Sequence, residues 1–495
     1  MGLNRSGGDP LLAAKHDQPT LGSAAESYEV YRRQHWDSVA EWKPPIWRGF
    51  NAYYHRRLEE IYRFLIPPGS CVLELGCGRG DLLAAVQPSF GMGIDLSGRM
   101  ISLARQKYPH LNFSQASAAD FEADRRFDYI ILSDVVNDLW DVQHVLNRLH
   151  RFADQRTRII INTYSRLWEI PRRLAESLGL TMKLPLQNWL TVEDLANLLN
   201  LADFEVIRQW ADILCPIRVP VLDSICNRYL AKLWPFRLFD LSNFIVARPA
   251  PRRSAHLASV SIVVPCRNER GNIESIFRRL PQLGTDTEAV FVEGNSTDDT
   301  YAEIQRCMAS FPHVKCTLLK QTGKGKGDAV RLGFANCSGD ILMILDADLT
   351  VAAEDLPRFY EALVSGKAEF ANGVRLVYPM EKKAMRFFNL AGNKFFSLAF
   401  SWLLGQNIKD TLCGTKVLSR SHYEQIAANR SYFGDFDPFG DFDLLFGAAK
   451  CNLKIVDIPI RYHERVYGDT NIQRWRDGRI LLKMVLFALG RFKFV

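Results

Sequence analysis

Cys71-Val-Leu-Glu-Leu-Gly-Cys-Gly-Arg-Gly-Asp81 decides the reading of the first half of the chain. A short apolar run breaks at Leu75 into glycines at 76, 78 and 80, and Asp81 follows where a helix should begin. Glycines at such a turn let the backbone bend sharply and approach a ligand closely. Alone, this pattern is weak, because glycine-rich turns end many strands. The segments after it give it weight. Gly93-Ile-Asp95 ends a second strand in a carboxylate, placed to accept both hydroxyls of a ribose. Phe113–Asp120 replaces a third strand and closes on Ala119-Asp120, and Phe127-Asp-Tyr-Ile-Ile-Leu-Ser-Asp134 is a fourth. Helical stretches separate these runs, which is the pattern of a parallel sheet covered on both faces.

Working outward, the chain has 495 residues, enough for two to four domains at about 100–200 residues each. It is 47% hydrophobic and 24% charged, values that exclude wholesale disorder, collagen-like repeats and a coiled coil. A net charge of +7, from 62 Lys+Arg against 55 Asp+Glu, permits an anionic partner without requiring one. The ten cysteines are too sparse for a disulfide scaffold and contain no C-x-x-C pair, so a reducing compartment is expected and a zinc site is not. The N-terminal residues lack the apolar core of a signal peptide. The longest apolar runs, Phe395–Gly405 and Leu481–Gly490, fall short of the roughly 20 residues that span a bilayer. No basic stripe with interleaved aromatics points to nucleic acid. The expected location is cytoplasmic, with peripheral contact to the inner membrane face.

A seam lies at Ala247–Ala258, where Pro, Arg, Ala and Ser cluster without a hydrophobic period. The expected organisation is a disordered segment over 1–25, a first domain over 26–248, a linker over 249–258 and a second domain over 259–495. The second domain opens on Ser261-Ile-Val-Val-Pro-Cys-Arg-Asn-Glu269. Its most informative tripeptide, Asp346-Ala-Asp348, ends the strand Asp340–Leu345. Two acids at i and i+2 on a strand end can share one hard cation and, through it, a diphosphate. Mg²⁺ prefers one or two carboxylates completed by substrate phosphates.

The ordered motifs of the first half resemble class I S-adenosylmethionine-dependent methyltransferases, over roughly Trp47 to Ala247. The resemblance implies a Rossmann-like fold and S-adenosylmethionine as cofactor. Glu74, Gly76 and Gly78 would form the cofactor loop, the two glycines beside its amino-acid part. Asp95 would hold the ribose and Asp120 the adenine amine, while Ser133 and Asp134 would line the site near the methyl group. A nicotinamide-binding Rossmann domain would prefer G-x-G-x-x-G; here the third glycine falls one position early. The methyl acceptor is not readable. Asp134 and Asp138 are candidate bases by position, His144 and His150 read as surface residues, and Asn162-Thr-Tyr164 faces the pocket mouth. Trp36, Trp42, Trp47, Phe50, Tyr53 and Tyr54 form an aromatic cluster that either caps the cofactor or packs the core.

From Ser259 onward the motifs resemble family 2 glycosyltransferases of the GT-A fold. They are SIVVPCRNE, EAVFVEGNSTDDT, TGKGKGDAVRLGF, GDILMILDADLT, Lys409–Lys416, Gly440–Leu445 and Glu464–Asn471. The tail is similar to the polyprenyl-phosphate (dolichol-phosphate) mannosyl- and glucosyltransferase branch. The resemblance implies inverting, metal-dependent transfer from a nucleotide-diphosphate sugar to a polyprenyl phosphate. Pro265, Asn268 and Glu269 would hold the nucleoside. Glu293 stands where the family usually has Asp, and Gly294 where a second Asp is common. Lys324 and Lys326 would lie near the phosphates, Asp346 and Asp348 would carry Mg²⁺ or Mn²⁺, and Arg375 would approach a phosphate. Asp441 and Asp443 match acceptor-side acids, and Arg465 would meet an acceptor phosphate. A phosphate monoester, with a second pKa of about 6, is already a nucleophile at neutral pH. Its enzyme needs cations more than a base, and Arg465, Arg474 and Arg476 fit that demand. Asp441 would serve as base if the acceptor were a hydroxyl.

Met385–Asn407 is rich in Phe, Leu and Trp with few charges, and Lys382, Lys383, Arg386 and Lys394 sit at its start. It reads equally as an interfacial helix pair that admits a lipid tail and as core; Ile480–Val495 is similar. Two alternatives stay open: transfer to a glycan hydroxyl with methylation of that glycan, and a first half that is a non-catalytic scaffold.

Overall fold

The computed structural model describes residues 21–41, 50–178, 183–253, 257–375, 377, 387–432, 441–465, 467 and 474–494. Among them, two seven-stranded sheets organise the chain. The first contains β1 (Cys71–Leu75), β2 (Phe90–Asp95), β3 (Asn112–Gln115), β4 (Tyr129–Ser133), β5 (Arg158–Tyr164), β6 (Phe204–Asp212) and β7 (Ser242–Pro249). Their spatial order is β3-β2-β1-β4-β5-β7-β6. The first five run parallel, and β7 lies antiparallel between β5 and β6. The central strands are apolar on both sides for a physical reason. Leu73, Ile130 and Ile161 feed one core and Val72, Ile131 and Ile160 the other, because helices cover both faces.

The second sheet contains β8 (Val260–Cys266), β9 (Thr287–Glu293), β10 (Lys315–Lys320), β11 (Ile341–Ile344), β12 (Phe370–Val374), β13 (Lys416–Ser419) and β14 (Ile455–Pro459). Its order is β10-β9-β8-β11-β13-β12-β14, with β13 antiparallel to both neighbours. Val263, Leu342 and Ile344 face one core, and Ile262, Val264 and Met343 the other. The chain is therefore mixed α/β with two units, as expected.

The two units share a polar seam. Arg158 Nη2 donates to both carboxylate oxygens of Glu369, at 2.8 and 2.7 Å, and Arg158 Nε donates to Asn452 O at 2.9 Å. Arg248 adds a second cation 3.5 Å from Glu369. All three charged side chains are nearly sealed from water. These cations hold the Glu369 carboxyl below its ordinary range despite its burial. Lys454 pairs with Glu205 at 2.8 Å, and Asn452 Nδ2 donates to Leu65 O at 3.0 Å.

Four boundaries differ from the sequence reading. A helix spans Leu21–Glu41, so 21–25 belong to it; residues 1–20 lie outside the described residues. A true third strand exists, Asn112–Gln115, and Asp120 sits in the turn after it. β7 continues through Pro249, because its edge register with β6 pairs Pro249 with Phe204. Finally, Phe387–Leu404 is one continuous helix rather than a pair, as expected of a run without Pro and with a single internal glycine. No helix among the described residues is long and apolar enough to cross a membrane.

Candidate active sites

In both sheets the strand order reverses once between parallel neighbours, at β1/β4 and at β8/β11. Ligands of open α/β sheets bind at such switch points, outside the strands' carboxyl ends. Many of the residues singled out in the sequence lie on the loops there.

At the first switch point the loop after β1 turns through Gly76 at φ 72°. A Cβ there would stand 2.6 Å from Val135 Cγ2, so both conformation and space require glycine. Gly78 N–H donates to Asp95 Oδ2 at 2.8 Å, and Ser97 N–H to Asp95 Oδ1 at 2.8 Å. The carboxylate at the end of β2 is thereby fixed against the glycine loop. Burial raises the Asp95 carboxyl, and those two N–H groups oppose the rise. Glu74 is buried, with Oε2 lacking a hydrogen-bond partner, and burial holds its carboxyl well above the usual range.

Asp134, just past β4, adopts φ 55°. Its carboxylate accepts Tyr54 O–H at 2.9 Å and Asn162 Nδ2–H at 2.7 Å, while Asn162 Oδ1 accepts Tyr62 O–H at 2.7 Å. Burial pushes the Asp134 carboxyl up to about 7, opposed by the Tyr54 hydrogen bond. Ser133 ends β4 opposite Asn162. Asp120 is exposed at the rim.

The helix Leu21–Glu41 lies across this end of the sheet. Arg32 Nη1 and Trp36 Nε1 donate to Asp138 at 2.7 and 3.0 Å, and Ser97 Oγ donates to Asp37 at 2.5 Å. Trp36 thus belongs to a cover over the site; Trp42 and Trp47 lie outside the described residues. Glu74 and Asp95 have no ion-pair partner among the described residues. An open buried acceptor beside such acids fits a ligand that brings hydroxyls, an amine and positive charge, and S-adenosylmethionine supplies all three.

At the second switch point, Asp346 and Asp348 follow β11. Lys326 Nζ stands 2.6 Å from Asp346 Oδ1, and Arg465 Nη2 stands 2.6 Å from Asp348 Oδ2. Arg465 also reaches within 3.6 Å of Glu269, whose carboxyl burial pushes up to about 7. Gly414 runs so close to this cluster that a Cβ would collide with Asp346 Oδ2 and Lys326 Nζ. Asn268 Oδ1 accepts Thr297 N–H at 2.7 Å, which ties the loop after β8 to the loop after β9. Glu293 is buried and accepts Ser296 N–H, so it braces that second loop. Pro265 is half-buried near the end of β8, and Lys324 is exposed on the loop before Lys326. No group of three or more metal-ligating side chains occurs among the described residues. Two carboxylates of this kind fit a hard cation completed by phosphates.

One expectation changes. Arg375 Nε and Nη2 close on Asp410 at 2.7 and 2.9 Å, nearly out of water, so this guanidinium is committed to a buried pair rather than presented to a phosphate. Asp443 pairs with Arg430 at 3.0 Å in a mostly buried setting. Asp441 begins the helix Asp441–Lys450; its side chain lies outside the described residues, as do those of Lys382, Lys383, Arg386, Arg474 and Arg476. His144 is exposed, and His150 contacts Ala202 O and stacks on Phe204, so neither belongs to the site. Sequence reasoning missed Tyr54 and Asn162 as partners of Asp134, and Gly414 beside the acid pair. The glycine of Cys413-Gly-Thr was the available signal for the last.

Comparison with known families matches one half of the chain to each of two family models. Residues 50–209 match the family model described as a methyltransferase domain, and residues 261–427 match glycosyl transferase family 2. The chain therefore carries both domains, in that order. It is 28% identical over 219 residues to a dolichol-phosphate mannosyltransferase of Pyrococcus furiosus, a match covering 43% of this chain and 59% of that one. It is 26% identical over 231 residues to an undecaprenyl-phosphate 4-deoxy-4-formamido-L-arabinose transferase of Klebsiella pneumoniae, covering 46% and 66%. The chain thus spans about three-fifths to two-thirds of the length of these curated relatives. Among solved structures, the magnesium protoporphyrin IX methyltransferase of Synechocystis PCC 6803 with bound SAH aligns at TM-score 0.33 and 16% identity, over 45% of this chain and 100% of that one. Glucosyl-3-phosphoglycerate synthase from Mycobacterium tuberculosis with Mn²⁺ and UDP aligns at 0.35 and 19%, over 48% and 80%.

Proposed function

We propose that the chain is a two-site transferase. Its second domain transfers a sugar, with inversion, from a nucleotide-diphosphate sugar to a polyprenyl phosphate. Its first domain methylates a substrate of the same pathway with S-adenosylmethionine. The observation that carries the reading is the acid pair Asp346/Asp348 at a switch point, with Lys326 and Arg465 held against it. The names of the relatives supply the lipid-phosphate acceptor.

In the sugar site, Asp346 and Asp348 would hold Mg²⁺ or Mn²⁺, which supplies charge neutralisation for the diphosphate. Lys326 would turn to the same phosphates, and Lys324 would add charge from its loop. Asn268, Glu269 and Glu293 would shape the nucleoside pocket, with Pro265 as its wall. Arg465 would receive the acceptor phosphate. An oxygen of that phosphate would attack the anomeric carbon while the bond to the diphosphate breaks, and the departing nucleoside diphosphate keeps the electron pair. No proton needs removing, so no base is required.

In the methyl site, Glu74, Asp95 and Asp120 would face the cofactor's donors, and the glycine loop would make room for its amino-acid part. Ser133 and Asp134 would line the methyl end. For a hydroxyl acceptor, Asp134 would take the proton as the oxygen bonds to the methyl carbon and the carbon–sulfur bond breaks, sulfur keeping its electron pair. Tyr54 and Asn162 hold that carboxylate in place.

The test is a paired assay on the intact protein. Radiolabel from a sugar nucleotide should enter an organic-soluble, mild-acid-labile product, and Asp348→Ala should abolish it. If all label remains with aqueous glycan, the lipid-phosphate acceptor is wrong. If labelled S-adenosylmethionine transfers nothing to any cell extract, the first domain is a scaffold.

A further inference from the structure

We propose that residues 213–241 of the first domain, together with the helix Glu169–Ser177, form a docking surface for an anionic lipid bilayer. β6 and β7 are antiparallel and pair up to Asp212 and Ser242, so a tight hairpin would suffice to join them. The chain instead inserts 29 residues, 213 through 241, between the two strands. The insertion buries Ile213 and Ala231 but turns most of its large apolar side chains outward. Leu233, Trp234, Phe236, Leu238 and Phe239 are all exposed, Trp234 at 74%. Ile217, Val221, Leu222, Ile225 and Tyr229 are exposed beside them in sequence. Single exposed apolar residues are ordinary; a concentration of this kind marks an interaction site.

The insertion does not stand alone. Trp168 Nε1 donates to Phe239 O at 2.9 Å, which joins it to the start of the helix Glu169–Ser177. That helix turns Ile170 and Leu174 to solvent, with Leu167 before it and Leu178 after it. On the other side Arg228 Nε donates to Phe494 O at 2.8 Å, and the Tyr229 and Phe494 rings lie 5.1 Å apart. The apolar surface thus reaches the second domain, whose helices Phe387–Leu404 and Arg474–Ala488 expose Phe395, Leu398, Leu482 and Leu486.

Charge selects the occupant. Within 213–241, Arg218, Arg228 and Arg237 are exposed, while both acids, Asp223 and Asp240, are buried. On the helix the exposed charges are Arg173 and, just before it, Arg166, whereas Glu169 and Glu176 are half-buried and paired with Arg173 and Arg172. Aromatic and aliphatic side chains interleaved with cations of a single sign suit a headgroup and acyl boundary carrying negative charge. Arg172 also lies over the Tyr164 ring, 5.2 Å from its centroid, near the Asp134 cluster. The helix of the docking surface therefore borders the methyl site, and a membrane-borne acceptor would approach it from the bilayer. The proposal deepens the lipid-acceptor reading but is tested without any polyprenyl phosphate, so either can fail alone.

The experiment is co-sedimentation of the full chain with phosphatidylcholine vesicles and with vesicles containing phosphatidylglycerol. Binding is expected to the anionic vesicles and to fall with salt. Combining Trp234→Ser, Phe236→Ser and Phe239→Ser should abolish it. Arg218→Glu with Arg237→Glu should weaken it on the order of 100-fold. Unchanged melting temperature and S-adenosylmethionine affinity would show that the variants fold. Three results would overturn the proposal: wild type ignores anionic vesicles; the triple serine variant binds like wild type while Leu482→Ser with Leu486→Ser does not; or the wild-type chain is a dimer that the serine variant dissociates.

Discussion

The two switch points are built on one plan and carry opposite electrostatics. Each sets acids at the carboxyl ends of two parallel strands flanking the reversal. At β1/β4, Glu74 and Asp95 have no cationic partner among the described residues, and burial raises them and Asp134. At β8/β11, Asp346 and Asp348 each hold a cation at 2.6 Å. Carboxyls with no cation beside them suit a ligand that arrives with donors and positive charge. Carboxylates already engaged with lysine and arginine suit a ligand that arrives as a metal diphosphate, because the cations can transfer to phosphate when a metal takes the acids. On the proposed function, one strand arrangement would serve two transfers whose charge flow is opposite.

Removing an acid from either point breaks the comparison most sharply. Asp348→Ala should lower sugar transfer by about 10⁴-fold, the loss of several kcal/mol of charge stabilisation. Methyl transfer should stay at the wild-type rate, and equal loss of both would show that the points are not independent. Asp134→Asn should cost methyl transfer about 10³-fold if Asp134 is a general base. The pH profile adds a sign. Burial raises this acid to about 7, so it is protonated and unable to accept a proton below that pH. Wild-type methyl transfer to a hydroxyl should rise with pH through about 7, and the Asn variant should not. A wild-type profile flat from pH 5 to 9 would remove Asp134 from the chemistry.

Much of this plan was legible in the sequence because it rests on local patterns. Glycines after Leu75, acids at 95 and 134 and the Asp346/Asp348 pair each follow an apolar run that can only be a strand end. What was not legible depends on distant partners. Arg375 reads as a phosphate ligand by motif, but Asp410, 35 residues away, takes its guanidinium. The partners Tyr54 and Asn162 come from a helix and a strand that no spacing relates to Asp134. The outward face of the insertion 213–241 is not legible either, since periodicity does not reveal which face lacks a cover.

The seam between the domains offers a smaller effect that tests whether the points act on a common frame. Glu369→Ala leaves Arg158 buried without its carboxylate, while Arg248 keeps Glu205 at 2.7 Å; the loss should cost about 3 kcal/mol of stability. The linkage has a definite sign. The Glu369 pKa is lowered by folding, so its contribution is present above the unfolded value of about 4.3 and is lost as pH falls below it. Wild-type melting temperature should therefore fall more steeply in acid than that of Glu369→Gln. Calorimetry that gives equal slopes would assign the seam's stability to packing instead.

The smallest effect concerns Glu293, the acid that departs from the family's usual Asp. Its longer side chain reaches the Ser296 N–H from a nearly sealed position at the end of β9. Glu293→Asp withdraws the carboxylate by one methylene and should forfeit that hydrogen bond, a loss of about 1 kcal/mol or roughly fivefold in nucleotide affinity. Titration of the full chain with several nucleoside diphosphates in the presence of Mg²⁺ measures it. A uniform fivefold loss would make Glu293 a brace for the loop that carries Ser296 and Thr297. A loss confined to one base would make it a reader of that base. No change with any nucleotide would exclude it from the β8/β11 site and leave Asn268 as the link between the two loops.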